Sequence, residues 1–365
     1  MGGEDERPEV VRKLASVQEI SAIDPIDGAD NIECATILGW TVVVAKDYHF
    51  KPGDLVCFFE IDSFLPVQPQ YEFLRKSSYR SHPDIGEGFR IKTCKLRGCL
   101  SQGLALPHEE IFPYHAIAHE VGTDVTEVLG VRKYDPPIHT GSGPGVIRGD
   151  CKGNFPSFVR KTDQERIQNI HNWVMAHHQG EYEATLKVDG TSLTAYRYMD
   201  ERGVCSRNWD LKEDTEDRRS EYWAIVKKSG LYDALMEINR NIAVQAELMG
   251  PGIQRNRENF DKHKFFIFDI WDIDQQRHLT PLERFGLVRQ LFAWLTPDEE
   301  DCWAHVPVIE YVTIDDSWTL QKFLDYANRP SINHKIAEGV VFKSVKPNGI
   351  SFKCISNQFL LKEKD

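Results

Sequence analysis

At 365 residues the chain exceeds the usual size of one domain, so two domains are expected. A hydrophobic fraction of 41% with 27% charged residues excludes a disordered or fibrous protein, and the formal net charge of −12 argues against a nucleic-acid binder on bulk composition. Residues 1–150 carry 15 Lys and Arg against 23 Asp and Glu, and the remainder 29 against 33, so a local basic face stays compatible with the acidic total.

The opening MGGEDERPEV is acidic where a signal peptide is basic and then apolar, and Glu6 stands where a myristoylation signal has Ser or Thr. No apolar run approaches the roughly 18 residues of a membrane helix. These features predict a soluble, intracellular protein with no membrane partner. The eight cysteines are scattered and form no CxxC pair for zinc or redox chemistry, which fits an intracellular protein. His115 and His119 have the spacing of a helical metal site, but a lone pair reads as helix surface.

Residues 9–130 read as short strands separated by turns. VVVAK (42–46), LVCFFEI (55–61) and FRIKTCKL (89–96) are rich in β-branched and aromatic residues, and FKPGD (50–54) supplies a turn. GCLSQGLALP (98–107) reads as a last strand flanked by glycines, and the set suggests a small barrel such as an OB-fold. A Pro/Gly-rich linker at 134–150 follows, which divides the chain into residues 1–145 and 146–365.

The second part mixes helices and strands. Residues 163–180 place Ile167, Ile170, Trp173, Val174 and His177 near one helical face. EYEATLKVDG (181–190) and TSLTAYRYMD (191–200) read as two strands joined at Asp-Gly. Residues 222–241, 279–295 and 319–329 read as helices, KFFIFDIWDID (264–274) as a buried strand, and GVVFKSV (339–345) with GISFKCIS (349–356) as a final strand pair. The fold class is α+β.

Lys187-Val188-Asp189-Gly190 carries the chemistry. On an extended strand Lys187 and Asp189 share a face, and Gly190 permits a sharp turn and a close ligand. A lysine there is a nucleophile once its amine is deprotonated. Alone, KxDG fits any surface hairpin. Downstream, however, come Ser206-Arg207-Asn208, Ala246-Glu247-Leu248-Met249-Gly250, Phe266-Ile267-Phe268-Asp269, Glu338-Gly339-Val340-Val341-Phe342-Lys343 and Phe352-Lys353. In this order they resemble the signature of covalent nucleotidyltransferases: ATP-dependent DNA ligases, RNA ligases and mRNA capping enzymes.

The resemblance implies that Lys187 holds AMP as a phosphoramidate. Asp189, Glu247 and Glu338 would hold Mg2+ (or Mn2+) through water, Arg207 would hold the ribose or a 5′-phosphate, and Phe268 would stack on adenine with Phe266 as the fallback. Lys353, and more weakly Lys343, would contact the phosphates; Ile355 departs from the Lys-x-Lys of ligase relatives. Only 12 residues follow Lys353, too few for an OB domain after the last motif. The OB-like segments come first, as in the Deinococcus/Naegleria-type ATP-dependent RNA ligases, and FPSFVRKTDQERIQN (155–169) is similar to that class as well. This similarity carries an adenylate contact to Arg166, with Gln168 and Asn169 as candidate adenine-side contacts. It implies an N-terminal OB-like barrel followed by a nucleotidyltransferase domain of antiparallel sheets and helices. The implied activity is ATP-dependent sealing of 3′-hydroxyl/5′-phosphate breaks in nicked duplex RNA, for RNA repair. A DNA ligase, another covalent nucleotidyltransferase, and a catalytically inactive RNA-binding module are the alternatives.

Overall fold

The computed structural model describes residues 13–112, 120–134, 151–215, 219–293 and 301–362. His115, His119 and the expected boundary at 145 lie outside these residues. Two compact units divide the chain at residues 137 and 138, with residues 168–170 and those from 360 onward counted with the first. Among the described residues no helix is long and apolar enough to cross a membrane.

The first unit is built from short antiparallel strands. Strands β1 (Ala15–Glu19), β5 (Leu55–Glu60) and β11 (Gly103–Pro107) form one sheet, and β2 (Ala22–Pro25), β3 (Ile32–Ile37) and β4 (Trp40–Ala45) another. In β5 nearly every side chain is buried because alternate residues enter different cores. Cys57 and Phe59 join Leu65, Tyr71 and Phe89, whereas Val56 and Phe58 join Ile37, Trp40 and Val42. Strands β6 (Ser63–Pro66), β7 (Tyr79–His82), β8 (Gly86–Arg90) and β12 (Arg132–Lys133) make a third sheet. The single strand expected over 89–96 is two: β8 ends at Arg90, and β9 (Cys94–Leu96) pairs instead with β10 (Cys99–Ser101). Ile91 spends its backbone hydrogen bonds on Asp62 and Ser63, which bends the chain away between them.

The second unit holds two sheets. The larger runs in the order β13 (Cys151–Asn154), β18 (Trp209–Leu211), β17 (Glu201–Cys205), β16 (Thr191–Tyr198), β19 (Ile242–Met249), β20 (Lys264–Asp272) and β21 (Arg277–His278), with β22 (Trp303–His305) beside β20. The smaller runs β14 (Glu165–Arg166), β25 (Ser351–Ile355), β24 (Gly339–Ser344), β15 (Gly180–Lys187), β23 (Val308–Ile314).

In the large sheet the two-residue strand period separates an apolar face from a polar one. Leu193, Ala195, Val244, Ala246, Leu248, Phe265 and Ile267 pack in one core with residues of the helices Glu221–Lys228, Leu231–Glu237 and Pro281–Leu291. Their alternates Ser192, Thr194, Gln245 and Glu247 line a cavity. The helix Pro281–Leu291 begins with a full capping box, Thr280 and Glu283 each satisfying the other's backbone, a motif worth about 1 kcal/mol. The helix expected over 222–241 is broken in two, because Gly230 turns with φ +73°.

Asp189-Gly190 does not close a hairpin. Strand β15 belongs to the small sheet and β16 to the large one, so the chain crosses between sheets there. A Cβ at Gly190 would lie 2.4 Å from the Leu248 carbonyl oxygen, a separation no other residue tolerates without backbone movement. The sequence pattern shows two strands and a turn; it does not show that the strands belong to different sheets. Beneath the crossing, Leu186 and Val188 pack with Met249, Phe266, Val306 and Ala337, which joins the two sheets through one apolar cluster.

Candidate active site

The cavity lies within the second unit, and its volume is about 260 Å³. From the small sheet it receives Thr185, Lys187, Val341, Lys343 and Lys353. Phe342 and Phe352, stacked at 5.2 Å between ring centroids, turn the other way toward Phe323 on the helix Leu320–Ala327. Their neighbours Lys343 and Lys353 therefore face the cavity.

Lys187 ends β15, and its Nζ donates to Glu338 at 2.7 Å. Burial pulls its ammonium down, but the carboxylates of Glu338, Glu247 and Asp189 outweigh burial and hold it above the ordinary lysine value. Glu247 accepts from the Gly190 N–H at 3.1 Å, and Gln254 donates to the Gly190 carbonyl at 3.1 Å. Burial pushes Glu247 up to about 7; Glu338 and Asp189 add to the rise, against Lys187 and the Gly190 N–H. Three acids from three segments thus surround one lysine.

The other lysines differ. Lys353 is pushed down to about 8 by burial, then by the charges of Lys187 and Arg166. Arg166 stands opposite Lys353 in the parallel pairing of β14 with β25. Lys343 donates to Asp269 at 2.9 Å and to the Phe268 carbonyl. Burial works against the Asp269 charge, yet Lys343, His278 and Arg284 hold its carboxyl below the ordinary value. Behind this pair, Arg284 and Glu183 form an ion pair with both side chains fully buried.

Phe268 sits at a bulge. Between Gln245↔Asp269 and Ala246↔Ile267 the register shifts, so Phe268 opposes no residue of β19. Its ring lines the cavity, with the Lys343 ammonium 5.5 Å from the centroid. Phe266 is buried in the cluster below, 5.7 Å from Phe260 between centroids.

The comparisons with known proteins agree on a family. Residues 14–108 match the model of an OB-fold domain and residues 180–361 that of the RNA ligase family. The structure of Naegleria gruberi RNA ligase with PPi is 41% identical, with a TM-score of 0.75, and the match covers 97% of this chain and 100% of that one. Two mutants of that ligase, one with ATP and Mn and one with AMP and Mn, each match at 40% identity and a TM-score of 0.76, covering 96% of this chain and 99% of theirs. The chain belongs to the RNA ligase family. No curated protein sequence matches it significantly.

The ligase brings most of the expected residues together. Lys187, Glu247, Arg207, Phe268, Lys343 and Lys353 line the cavity, and Glu338 and Asp189, which are not among the lining residues, act on Lys187 through their charge. Arg207 is exposed and paired with Asp163 at 3.0 Å. Gln168 and Asn169 sit in the first turn of the helix Ile167–His177 and are not among the lining residues. Among the described residues no three His, Cys, Asp or Glu side chains converge closely enough to grip a metal ion directly. The acid cluster nevertheless fits a divalent cation held through water, since the charges of Glu338 and Asp189 add to the rise of the Glu247 carboxyl, which a neutralising cation would relieve.

Sequence reasoning missed the run Lys161–Gln164 and the side chains Ser192, Thr194 and Gln245 as cavity walls. For the run, the only signal was its place in the segment 155–169. For the strand residues the signal was the polar half of each alternating pattern, opposite the apolar half used to recognise the strands.

Proposed function

We propose that the ligase uses ATP and seals 3′-hydroxyl/5′-phosphate breaks in nicked duplex RNA, as an RNA-repair enzyme. The observation that carries this reading is Lys187 at the cavity, hydrogen-bonded to Glu338, with Lys353 and Arg207 lining the same space. The relatives' complexes with ATP and Mn, AMP and Mn, and PPi support it.

In the first step the Lys187 amine attacks the α-phosphorus of ATP. A P–N bond forms, the P–O bond to the β-phosphate breaks, and pyrophosphate leaves. Glu338 is placed to take the ammonium proton beforehand. Lys353, Arg166 and Arg207 would hold the phosphates, whose charge in turn favours their cationic forms. Asp189, Glu247 and Glu338 would hold Mg2+ or Mn2+ through water, and such an ion neutralises phosphate charge and weakens the hold of the acids on the lysine proton. AMP then passes to a 5′-phosphate, and a 3′-hydroxyl displaces it to form the phosphodiester.

Incubation with α-labelled ATP and magnesium should leave label on the denatured chain, and the protein should seal a nicked duplex with an RNA 3′ end faster than one with a DNA 3′ end. Faster sealing of the all-DNA nick would move the assignment to a DNA ligase. No label would remove the covalent mechanism.

A further inference from the structure

We propose that Gln245 selects the base of the nucleotide, its side-chain oxygen accepting a hydrogen bond from the exocyclic amine of adenine. This rests on the reading of the cavity as an ATP site. Gln245 is 1% exposed and lines the cavity from the centre of β19. Its Nε2 donates to the Arg160 carbonyl at 2.7 Å. A backbone carbonyl only accepts, so the amide orientation is fixed, and the oxygen is the end left for another partner. That oxygen is buried and has no hydrogen-bond partner among the described residues. Buried acceptors are nearly always satisfied, and one that lines a ligand cavity is satisfied by the ligand or by water.

Its place on the strand says which part of the ligand it meets. Glu247, beside Lys187 and the Gly190 N–H, marks the end where the phosphorus is attacked. Gln245 is the next residue on the same face, about 6–7 Å further along the strand, and it pairs across with Asp269, next to Phe268 at the bulge. The sugar spans that interval, and the base reaches the Phe268 end. An acceptor there takes the N–H of the 6-amino group of adenine and opposes the carbonyl that guanine carries at the same position.

The test measures binding by calorimetry to the full chain carrying Lys187→Met, so that no covalent transfer consumes nucleotide. ATP should bind about tenfold more tightly than purine riboside triphosphate, which lacks the amine. Adding Gln245→Met should bring these two affinities together and leave the ratio between ATP and 2′-deoxy-ATP unchanged. Equal affinities for ATP and the amine-free analogue in the chain that keeps Gln245 would overturn the proposal, and this arm stands even where Gln245→Met fails to fold. Loss of the ATP to 2′-deoxy-ATP ratio on adding Gln245→Met would overturn it in favour of a sugar contact. Covalent labelling of the unsubstituted chain separates the two readings: no label sinks the ATP reading itself, while label without amine preference sinks only the role of Gln245.

Discussion

Lys187 and Lys353 face one cavity from strands of the same sheet, with β24 between them, yet their surroundings drive them in opposite directions. Around Lys187 three carboxylates hold the proton on; around Lys353, burial and the charges of Lys187 and Arg166 push it off. The cavity therefore has an acidic end and a cationic end. A magnesium–triphosphate complex carries the complementary pattern, a cation beside the attacked phosphorus and anions beyond it. Residue type does not assign roles here. Six lysines and arginines line or flank this space, Lys161, Lys187, Arg207, Lys343 and Lys353 with Arg166 beside them, and on the proposed reading their neighbours decide which of them attacks ATP.

The largest break in this comparison should come from Lys187→Ala, which is expected to reduce covalent labelling by α-labelled ATP to background. The same variant should still join a strand supplied with AMP already on its 5′-phosphate, because that step does not use the amine. Full labelling of the variant would remove Lys187 from its role.

Next come the acids. Asp189→Asn, Glu247→Gln and Glu338→Gln should each slow labelling about 10- to 100-fold, and pairs of them should do less harm than the product of the single effects, as expected of groups sharing one task. Glu247→Gln adds a control against misfolding. A carboxyl raised from 4.5 to about 7 makes the folded state bind extra protons in that window, so its contribution to stability falls as pH rises from 4.5 to 7. The variant should therefore melt higher than the parent at pH 8, with the gap closing toward pH 5. A lower melting temperature at pH 8 would count against a buried, strained carboxylate.

A smaller effect sharpens the cationic end. Lys353 lies at about 8, below the ordinary 10.5, and bound phosphate favours its charged form. ATP affinity should fall as pH rises above about 8, by up to about tenfold per pH unit, the limit for one linked proton. Lys353→Met should bind ATP more weakly at pH 7 and lose that slope. A parent protein with flat affinity from pH 7 to 9.5 would contradict the assignment.

The smallest effect concerns the first unit. Lys92, Lys95 and Arg97 are exposed around β9, and we expect their joint replacement by alanine to slow nick sealing severalfold in a salt-dependent way while leaving labelling intact. Sealing at the parent rate would leave those charges as a solvated strand edge.

Much of this site was legible because its chemistry needs rare combinations in order: Lys-x-Asp-Gly, acids in or beside apolar strands, a lysine after Phe352. What stayed hidden depends on pairing between distant segments. Phe266 and Phe268 share a face and pack in one apolar cluster, and alternation alone does not say that only the Phe268 ring lines the cavity. Lys343 read as a phosphate ligand, but the structure gives it Asp269 and the Phe268 carbonyl as partners, 74 and 75 residues away in sequence. The same limit explains the misplaced hairpin at Asp189-Gly190, whose two strands find their partners elsewhere.

The crossing at Gly190 also limits how the cavity can open. From Lys187 to Thr191 the chain advances four residues, which reach at most about 14 Å when fully extended. The wall that carries Lys187 and the wall that carries Thr191 are thus tied together by a short cord, and the cluster of Leu186, Val188, Met249 and Phe266 lies beneath that cord. A second short crossing, from β22 to β23 through Val306 and Pro307, and the Lys343–Asp269 ion pair tie the same two sheets together as well. On the proposed reading, the α-phosphate meets Lys187 beside the cord at Gly190.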